Sequence, residues 1–165
     1  MENMLDSPHL PFVHRRTIGK PLRQRMTSDS RMEILWEDTA FGGRAEARMD
    51  GIPGGAFLEY WKPNVMALHI PVPGKHLRIH ALVIPQGEGM TRLIICQSRD
   101  FARSPILQPL FAWMNRRIAD EDKDVVESGG PEEVPPAAAE RSVATDRATL
   151  QFRKYYYDVL RPSVA

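Results

Sequence analysis

With 165 residues, 42% of them apolar and 26% charged, the chain has the size and composition of one folded domain. Its formal net charge of +1 gives no electrostatic reason to expect a nucleic-acid partner. Its apolar runs are too short for a membrane span and its N-terminus lacks a signal-peptide pattern, so we expect a cytoplasmic protein.

Residues 1–28 should form only short or kinked helical pieces, because Pro8 and Pro11 interrupt any longer helix. The opening MENMLDSPHLPFVHRRTIG is unusually dense in possible metal ligands, with His9 and His14 five residues apart. Positions five apart on a straight helix differ in direction by about 140°. Both histidines can therefore face one metal only if the prolines bend the segment.

An antiparallel sheet is predicted for residues 31–100, where about six to seven short runs are separated by turns rich in Gly and Pro. The runs are RMEILWEDT, GRAEARM, GAFLEYW, VMALHIPV, LRIHALVIP and MTRLIICQS. Alternation is clearest in LRIHALVIP, where Leu77, Ile79 and Ala81 share one face. The glycine- and proline-rich gaps, such as DGIPGG at 50–55, indicate the turns of a meander.

The chain has one cysteine, Cys96, inside the apolar run RLIICQS, and we expect it to be a small buried hydrophobe. One cysteine excludes an intrachain disulfide. It also excludes an iron–sulfur cluster held by this chain alone, since even the mixed histidine and cysteine type needs two thiolates.

A helix is predicted for residues 105–128, where the apolar residues repeat with helical period. They are Leu107, Leu110, Phe111, Met114, Ile118 and Val125. Asp122 falls within this face, whereas Asp120 and Asp124 turn outward and Glu121 lies at its edge. A carboxylate that points into a core costs several kcal/mol unless it is paired. Asp122 is therefore expected either to pair with a buried base, such as an arginine, or to bind a cation.

Residues 129–144, rich in Pro and Gly, read as an exposed connector, and residues 145–161 as a terminal amphipathic helix that begins near Thr145 and Asp146. Strands followed by helices predict a single α+β domain over 1–165. In this arrangement, a helix-grip fold, a curved antiparallel sheet packs on the C-terminal helix. We expect an apolar cavity between them that opens toward His9 and His14.

The stretch ENMLDSPHLPFVHRRTIG closely resembles the iron-binding segment of Rieske-type aromatic-ring-hydroxylating oxygenases. The family pattern is an Asn, an Asp three residues on, then a His, and a second His five later, which Asn3, Asp6, His9 and His14 match. The run EDKDVVE that contains Asp122 resembles the helix with the family's third ligand, and TDRATLQFRKYYY resembles its final helix. The branch most similar contains vanillate demethylase and pheophorbide a oxygenase.

This resemblance implies a mononuclear Fe²⁺ bound by His9, His14 and Asp122. It also implies that Asp6 bridges the iron site to a [2Fe–2S] Rieske cluster for electron transfer, and that Asn3 hydrogen-bonds around the site. For Asp6 a turn or helix-cap carboxylate is the alternative, and for Asn3 a helix cap. His9 and His14 have the alternative of surface or capping histidines.

The resemblance covers the catalytic half of a family member and not the N-terminal Rieske domain. It implies an oxygenase that activates O2 to hydroxylate or oxidatively demethylate an apolar, aromatic substrate. A Rieske ferredoxin-like domain and an NAD(P)H-dependent reductase would be its partners, and the family's trimers suggest a homotrimer. The chain would not be active alone. The alternative is a truncated, non-catalytic helix-grip module that binds a hydrophobic ligand.

Overall fold

A computed structural model of the chain describes residues 1–50, 56–129 and 139–161. Three short helices precede the sheet: α1 (Glu2–Leu5), α2 (Leu10–Val13) and α3 (Lys20–Arg25), with a 3-10 turn at Ser7–His9. The chain leaves helical geometry at Asp6, with φ −82° and ψ 79°. Pro8 and Pro11 occupy the first turns of the next two pieces, where a missing N–H is tolerated. The segment is thus broken, as its prolines predict.

Six strands form one antiparallel sheet in which each strand pairs with the next along the chain. They are β1 (Met32–Thr39), β2 (Gly42–Met49), β3 (Phe57–Trp61), β4 (Val65–His69), β5 (Leu77–Gly87) and β6 (Met90–Arg99). This order confirms the predicted meander. Of the turn DGIPGG, residues 51–55 lie outside the described part of the chain.

Two longer helices follow the sheet. A 3-10 turn at Pro105–Leu107 leads into α4 (Gln108–Ser128), and α5 (Arg147–Tyr155) continues as a π-helical turn at Tyr156–Leu160. Most of the predicted connector, residues 130–138, lies outside the described residues. No helix in the described ranges is long and apolar enough to cross a membrane.

The core lies between one face of the sheet and the helices α1 and α5. Its buried members are Leu5, Ile34, Ala45, Leu58, Tyr60, Met66, Ala148 and Phe152. The rings of Tyr60 and Phe152 meet edge to face, 5.8 Å apart. Burying a side chain such as Phe152 contributes about 2–3 kcal/mol. The predicted α+β class, a sheet packed on a C-terminal helix, is therefore confirmed.

The predicted apolar face of α4 is only partly buried. Ile118 is the one buried residue described in this helix, while Leu110 and Val125 remain 52% and 40% exposed. A polar contact also joins α4 to the sheet edge. Gln97 donates to the side-chain oxygen of Asn115 at 3.1 Å. Helical period therefore located the helix correctly but overstated its burial, since the sheet does not cover that whole face.

The prediction that Cys96 is buried is wrong, because its side chain is exposed. Cys96 lies on the edge strand β6 and pairs with His80. The neighbouring pair, Ile79 and Gln97, is on the core face, so Cys96 projects from the opposite face. The apolar run therefore predicted the burial of Cys96 wrongly, because this strand lies at the edge of the sheet.

An open cleft of about 460 Å³ lies between β1 and α5, lined by Met32 and Ile34 on one side and Leu150 on the other. The charged Arg147 also lines it. Neither His9 nor His14 is among the lining residues of this cleft. A cavity that opens toward His9 and His14 therefore stays a prediction.

An ion pair ties the start of the chain to its last helix. The buried Arg153 guanidinium on α5 donates to both carboxylate oxygens of Glu2, at 2.7 and 2.8 Å, and to Glu140. These pairs hold the pKa of Arg153 above its ordinary value, chiefly through the hydrogen bonds that the guanidinium donates to Glu2. A bidentate pair fixes orientation as well as distance, so α1 is held against α5 in one position.

Replacing Arg153 with methionine should lower the free energy of unfolding by about 2 kcal/mol, because charged hydrogen bonds are lost and Glu2 is left unpaired. Urea unfolding measures this. The matched control is Lys154→Met, the exposed neighbouring cation on the same helix. Equal losses in both variants would contradict the role given to this ion pair.

Candidate metal centre

Three side chains, from segments that precede and follow the sheet in sequence, meet at one point. His9 and His14 come from the segment before the sheet, and Asp122 comes from α4 after it. One ligand atom of each lies within 4.8 Å of the others. The Nε2 atom of His14 is 3.0 Å from the Asp122 Oδ1, and that of His9 is 3.6 Å from it.

The bend in the N-terminal segment makes this convergence possible. His9 ends the 3-10 turn and His14 directly follows α2, so the two are not on one straight helix. Their rings approach edge to face, with centroids 5.2 Å apart. The backbone oxygen of His14 accepts N–H bonds from Thr17 and Gly19, both at 2.9 Å. These bonds close the turn that holds the His14 ring in place.

Gly19 is required for this turn because of space. A Cβ atom at this position would lie 2.0 Å from the backbone oxygen of Leu10 and 3.0 Å from that of His14. Any larger residue would therefore push α3 away from α2 and disturb the His14 backbone.

Asp122 has a further partner besides the histidines. Asn3 donates from Nδ2 to the Asp122 Oδ1 at 2.8 Å. The prediction of Asn3 as a hydrogen-bonding neighbour of the site therefore corresponds to a contact in the structure. Its position on α1 also links the site to Glu2, and through Glu2 to Arg153.

Glu121 is a functional candidate that the sequence reasoning placed only at the edge of the helix face. Its Oε2 lies 2.9 Å from the His14 Nδ1 and accepts a hydrogen bond from the Thr17 hydroxyl at 2.7 Å. Arg117, one turn earlier on α4, is 3.7 Å from Oε1. In the sequence, the only signal for Glu121 was its position directly before the inward carboxylate of Asp122.

The outer partners of both rings influence which ring nitrogen carries the hydrogen. The Nδ1 atom of His9 contacts the backbone oxygen of Asp6, and a carbonyl oxygen can only accept a hydrogen bond. The Nδ1 atom of His14 faces the Glu121 carboxylate, which also only accepts when ionised. In the neutral His9 ring the hydrogen thus belongs on Nδ1, whereas in the His14 ring Glu121 at Nδ1 competes for it with Asp122 at Nε2. A ring with its hydrogen on Nδ1 presents its Nε2 lone pair toward Asp122, which is the arrangement that metal-binding histidines need.

The electrostatics of the two histidines differ. Burial lowers the pKa of His9, and its partners compensate only partly. Burial acts the same way on His14, but its hydrogen bonds with Asp122 and Glu121 outweigh it and raise the pKa of His14. Burial opposes the charge of Asp122 as well, yet bonds from His14 and Asn3 lower the pKa of this carboxyl. Without a metal, these contacts favour a protonated His14 beside an ionised Asp122.

Asp6 is close to the site without being one of its ligands. Its backbone oxygen contacts His9, and the residue lines a small cleft of about 270 Å³ with Asn3 and Arg153. Burial raises the pKa of Asp6, and Asp146 adds to the effect. His69, another histidine of the chain, lies on the sheet instead, where its ring stacks on that of Phe57 with centroids 4.0 Å apart.

Comparison with known proteins agrees with this architecture. The family model for the vanillate O-demethylase oxygenase C-terminal domain matches residues 53–161, a range that includes Asp122 but neither His9 nor His14. No curated protein matches the chain.

Solved structures of NdmA from Pseudomonas putida CBB5 share the fold. NdmA itself has a TM-score of 0.67 at 20% identity and covers 93% of this chain and 44% of its own. A complex of NdmA with caffeine has a TM-score of 0.64 at 20% identity, over 93% and 45% of the two chains. A QL mutant with caffeine reaches 0.70 at 19% identity, with the same coverage. This chain thus spans less than half the length of these structures.

The sheet and terminal helix have the fold of a Rieske-type oxygenase catalytic domain. Since the family model covers most of the chain, the protein belongs to the family of vanillate O-demethylase oxygenase C-terminal domains.

In the metal-free protein His14 should titrate above 6.5, the ordinary pKa of histidine, and His9 below it. NMR titration of the ring signals, assigned with His9→Gln and His14→Gln, measures both values. Asp122→Asn should lower the pKa of His14, because the ring loses a charged acceptor. The reverse order, with the pKa of His9 above that of His14, would contradict the electrostatics described.

Metal affinity should rise with pH as the His14 proton is lost.

Proposed function

We propose that this protein is the catalytic domain of a mononuclear non-haem iron oxygenase in which His9, His14 and Asp122 bind Fe²⁺. The supporting observation is the convergence of one ring nitrogen from each histidine and one carboxylate oxygen within 4.8 Å. Both Nε2 atoms lie within 3.6 Å of the Asp122 Oδ1. Two imidazoles and one carboxylate form the facial ligand set of non-haem iron(II) oxygenases, which leaves coordination positions open.

When bound, iron would supply the activation of O2 for hydroxylation or oxidative demethylation of an apolar, aromatic substrate. The chain's own residues orient and shield the site. The His14 side chain is only 1% exposed and that of His9 10%, so little water reaches the rings. Asn3 holds the Asp122 carboxylate in one orientation. The outer hydrogen bonds of both rings keep their Nε2 atoms directed inward.

Electrons would have to come from outside this sequence. Sustained oxygenation needs a donor, and the single cysteine cannot hold a Rieske cluster. The donor would therefore be a [2Fe–2S] domain in another part of the protein or in another chain, served by an NAD(P)H-dependent reductase. Asp6 is the proposed bridge, because it is bonded through its backbone to His9 and lines the cleft that also includes Asn3.

A non-catalytic module for a hydrophobic ligand is the second candidate. The observation that favours it is the cleft between β1 and α5, whose lining includes Met32, Ile34 and Leu150. The two candidates differ in their need for metal, since a hydrophobic ligand in this cleft would bind without iron.

The wild-type protein should bind one ferrous ion per chain under anaerobic conditions. Asp122→Ala should weaken binding by more than about 100-fold, because losing a ligand costs more than losing an outer partner. Competition with a ferrous chelator measures this. Asp124→Ala, which removes an exposed carboxylate from the same helix, is the matched control and should bind like wild type. Weak, equal loading of the wild type and Asp122→Ala would refute the site.

Sustained turnover should require an added Rieske domain. With a reductase, NADH and vanillate as the test substrate, the chain alone should give at most a single turnover. If a separately expressed Rieske domain restores turnover, Asp6→Asn should block it while leaving the iron content intact. Asp124→Asn serves as the charge-matched control. Steady multiple turnover by the chain alone would mean that electrons enter by another route.

A further inference from the structure

We propose that Glu121 is a positioning residue for His14. In this role it fixes the ring proton on Nδ1 and so keeps Nε2 free for a metal, and Thr17 in turn fixes Glu121. This inference rests on the proposed iron site and assigns a role to a residue outside its ligand set.

The geometry places two consecutive carboxylates of α4 on the two nitrogens of one imidazole. Glu121 Oε2 is 2.9 Å from Nδ1, and Asp122 Oδ1 is 3.0 Å from Nε2. Neighbouring side chains on a helix diverge by about 100°, so the pair can hold a ring from two sides. The His14 ring is buried between them.

Both carboxylates compete for the single ring proton of a neutral His14. If the proton were on Nε2, it would bond to Asp122, and the lone pair needed by a metal would point away from the site. Glu121 provides the competing acceptor at Nδ1. A metal-bound histidine is usually held in this way by an outer carboxylate, which fixes its tautomer and makes it a better ligand.

Thr17 makes this acceptor rigid. Its hydroxyl donates to the same Oε2 atom that faces His14, at 2.7 Å. Thr17 also lies in the turn closed by the His14 backbone oxygen. The ring, its backbone and its outer carboxylate are therefore held by one local network. Arg117, at 3.7 Å from the other carboxylate oxygen, adds a partly exposed cation.

NMR of the metal-free protein tests the tautomer directly. In alkaline buffer, where the ring is neutral, ¹H–¹⁵N correlations should show the His14 proton on Nδ1 in the wild type. In Glu121→Ala the proton should move to Nε2, where Asp122 accepts it. A wild-type proton on Nε2, or a tautomer unchanged in Glu121→Ala, would overturn the inference. The wild-type measurement needs no variant to fold.

Iron affinity provides the second readout. Anaerobic chelator competition should give a 10–100-fold weaker affinity for Glu121→Ala, the range typical of losing an outer partner. Glu121→Gln should lose less, because its amide oxygen still accepts from Nδ1. Asp124→Ala controls for the loss of one negative charge on α4. Glu121→Ala matching this control while the wild type binds iron would overturn this inference alone. A wild type that binds no iron would instead overturn the proposed function.

Discussion

The contact of His14 with two adjacent carboxylates of α4 is the interaction on which the candidate site depends. It joins a segment before the sheet to a helix after it, across 107 residues of chain to Glu121. A buried imidazole is tolerated only when its polar atoms are paired, and here both nitrogens have partners. Arg153 and Gly19 support the same geometry from outside, since one fixes α1 against α5 and the other lets α3 approach α2.

The features of the fold that could be predicted are those that depend on local pattern. Alternation and turn residues gave the meander, because a strand with one buried face must alternate. Proline positions gave the break in the N-terminal segment. The helical wheel singled out Asp122 as an inward carboxylate, and in the structure it does point at the two histidines. The family resemblance added the expectation that these three side chains meet.

The features that could not be predicted depend on what packs against a residue. The same wheel counted Leu110 as core, but its burial required a partner that the sheet edge does not supply. Cys96 lies in an apolar run, yet the open face of an edge strand leaves it exposed. Glu121 was placed at the helix edge, since sequence periodicity gives a side chain's direction but not its hydrogen-bonding partner. The outer acceptors of the rings, including the Asp6 backbone oxygen, follow only from three-dimensional contacts.

Anomalous diffraction at the iron edge, from crystals of this protein loaded anaerobically with Fe²⁺, is the decisive measurement for the proposed iron site. We expect one peak, coordinated by the Nε2 atoms of His9 and His14 and by a carboxylate oxygen of Asp122. Glu121 should remain on the Nδ1 side of His14, outside the coordination shell. A peak bound through an Nδ1 atom, or no peak between the histidines and Asp122, would contradict the proposed site.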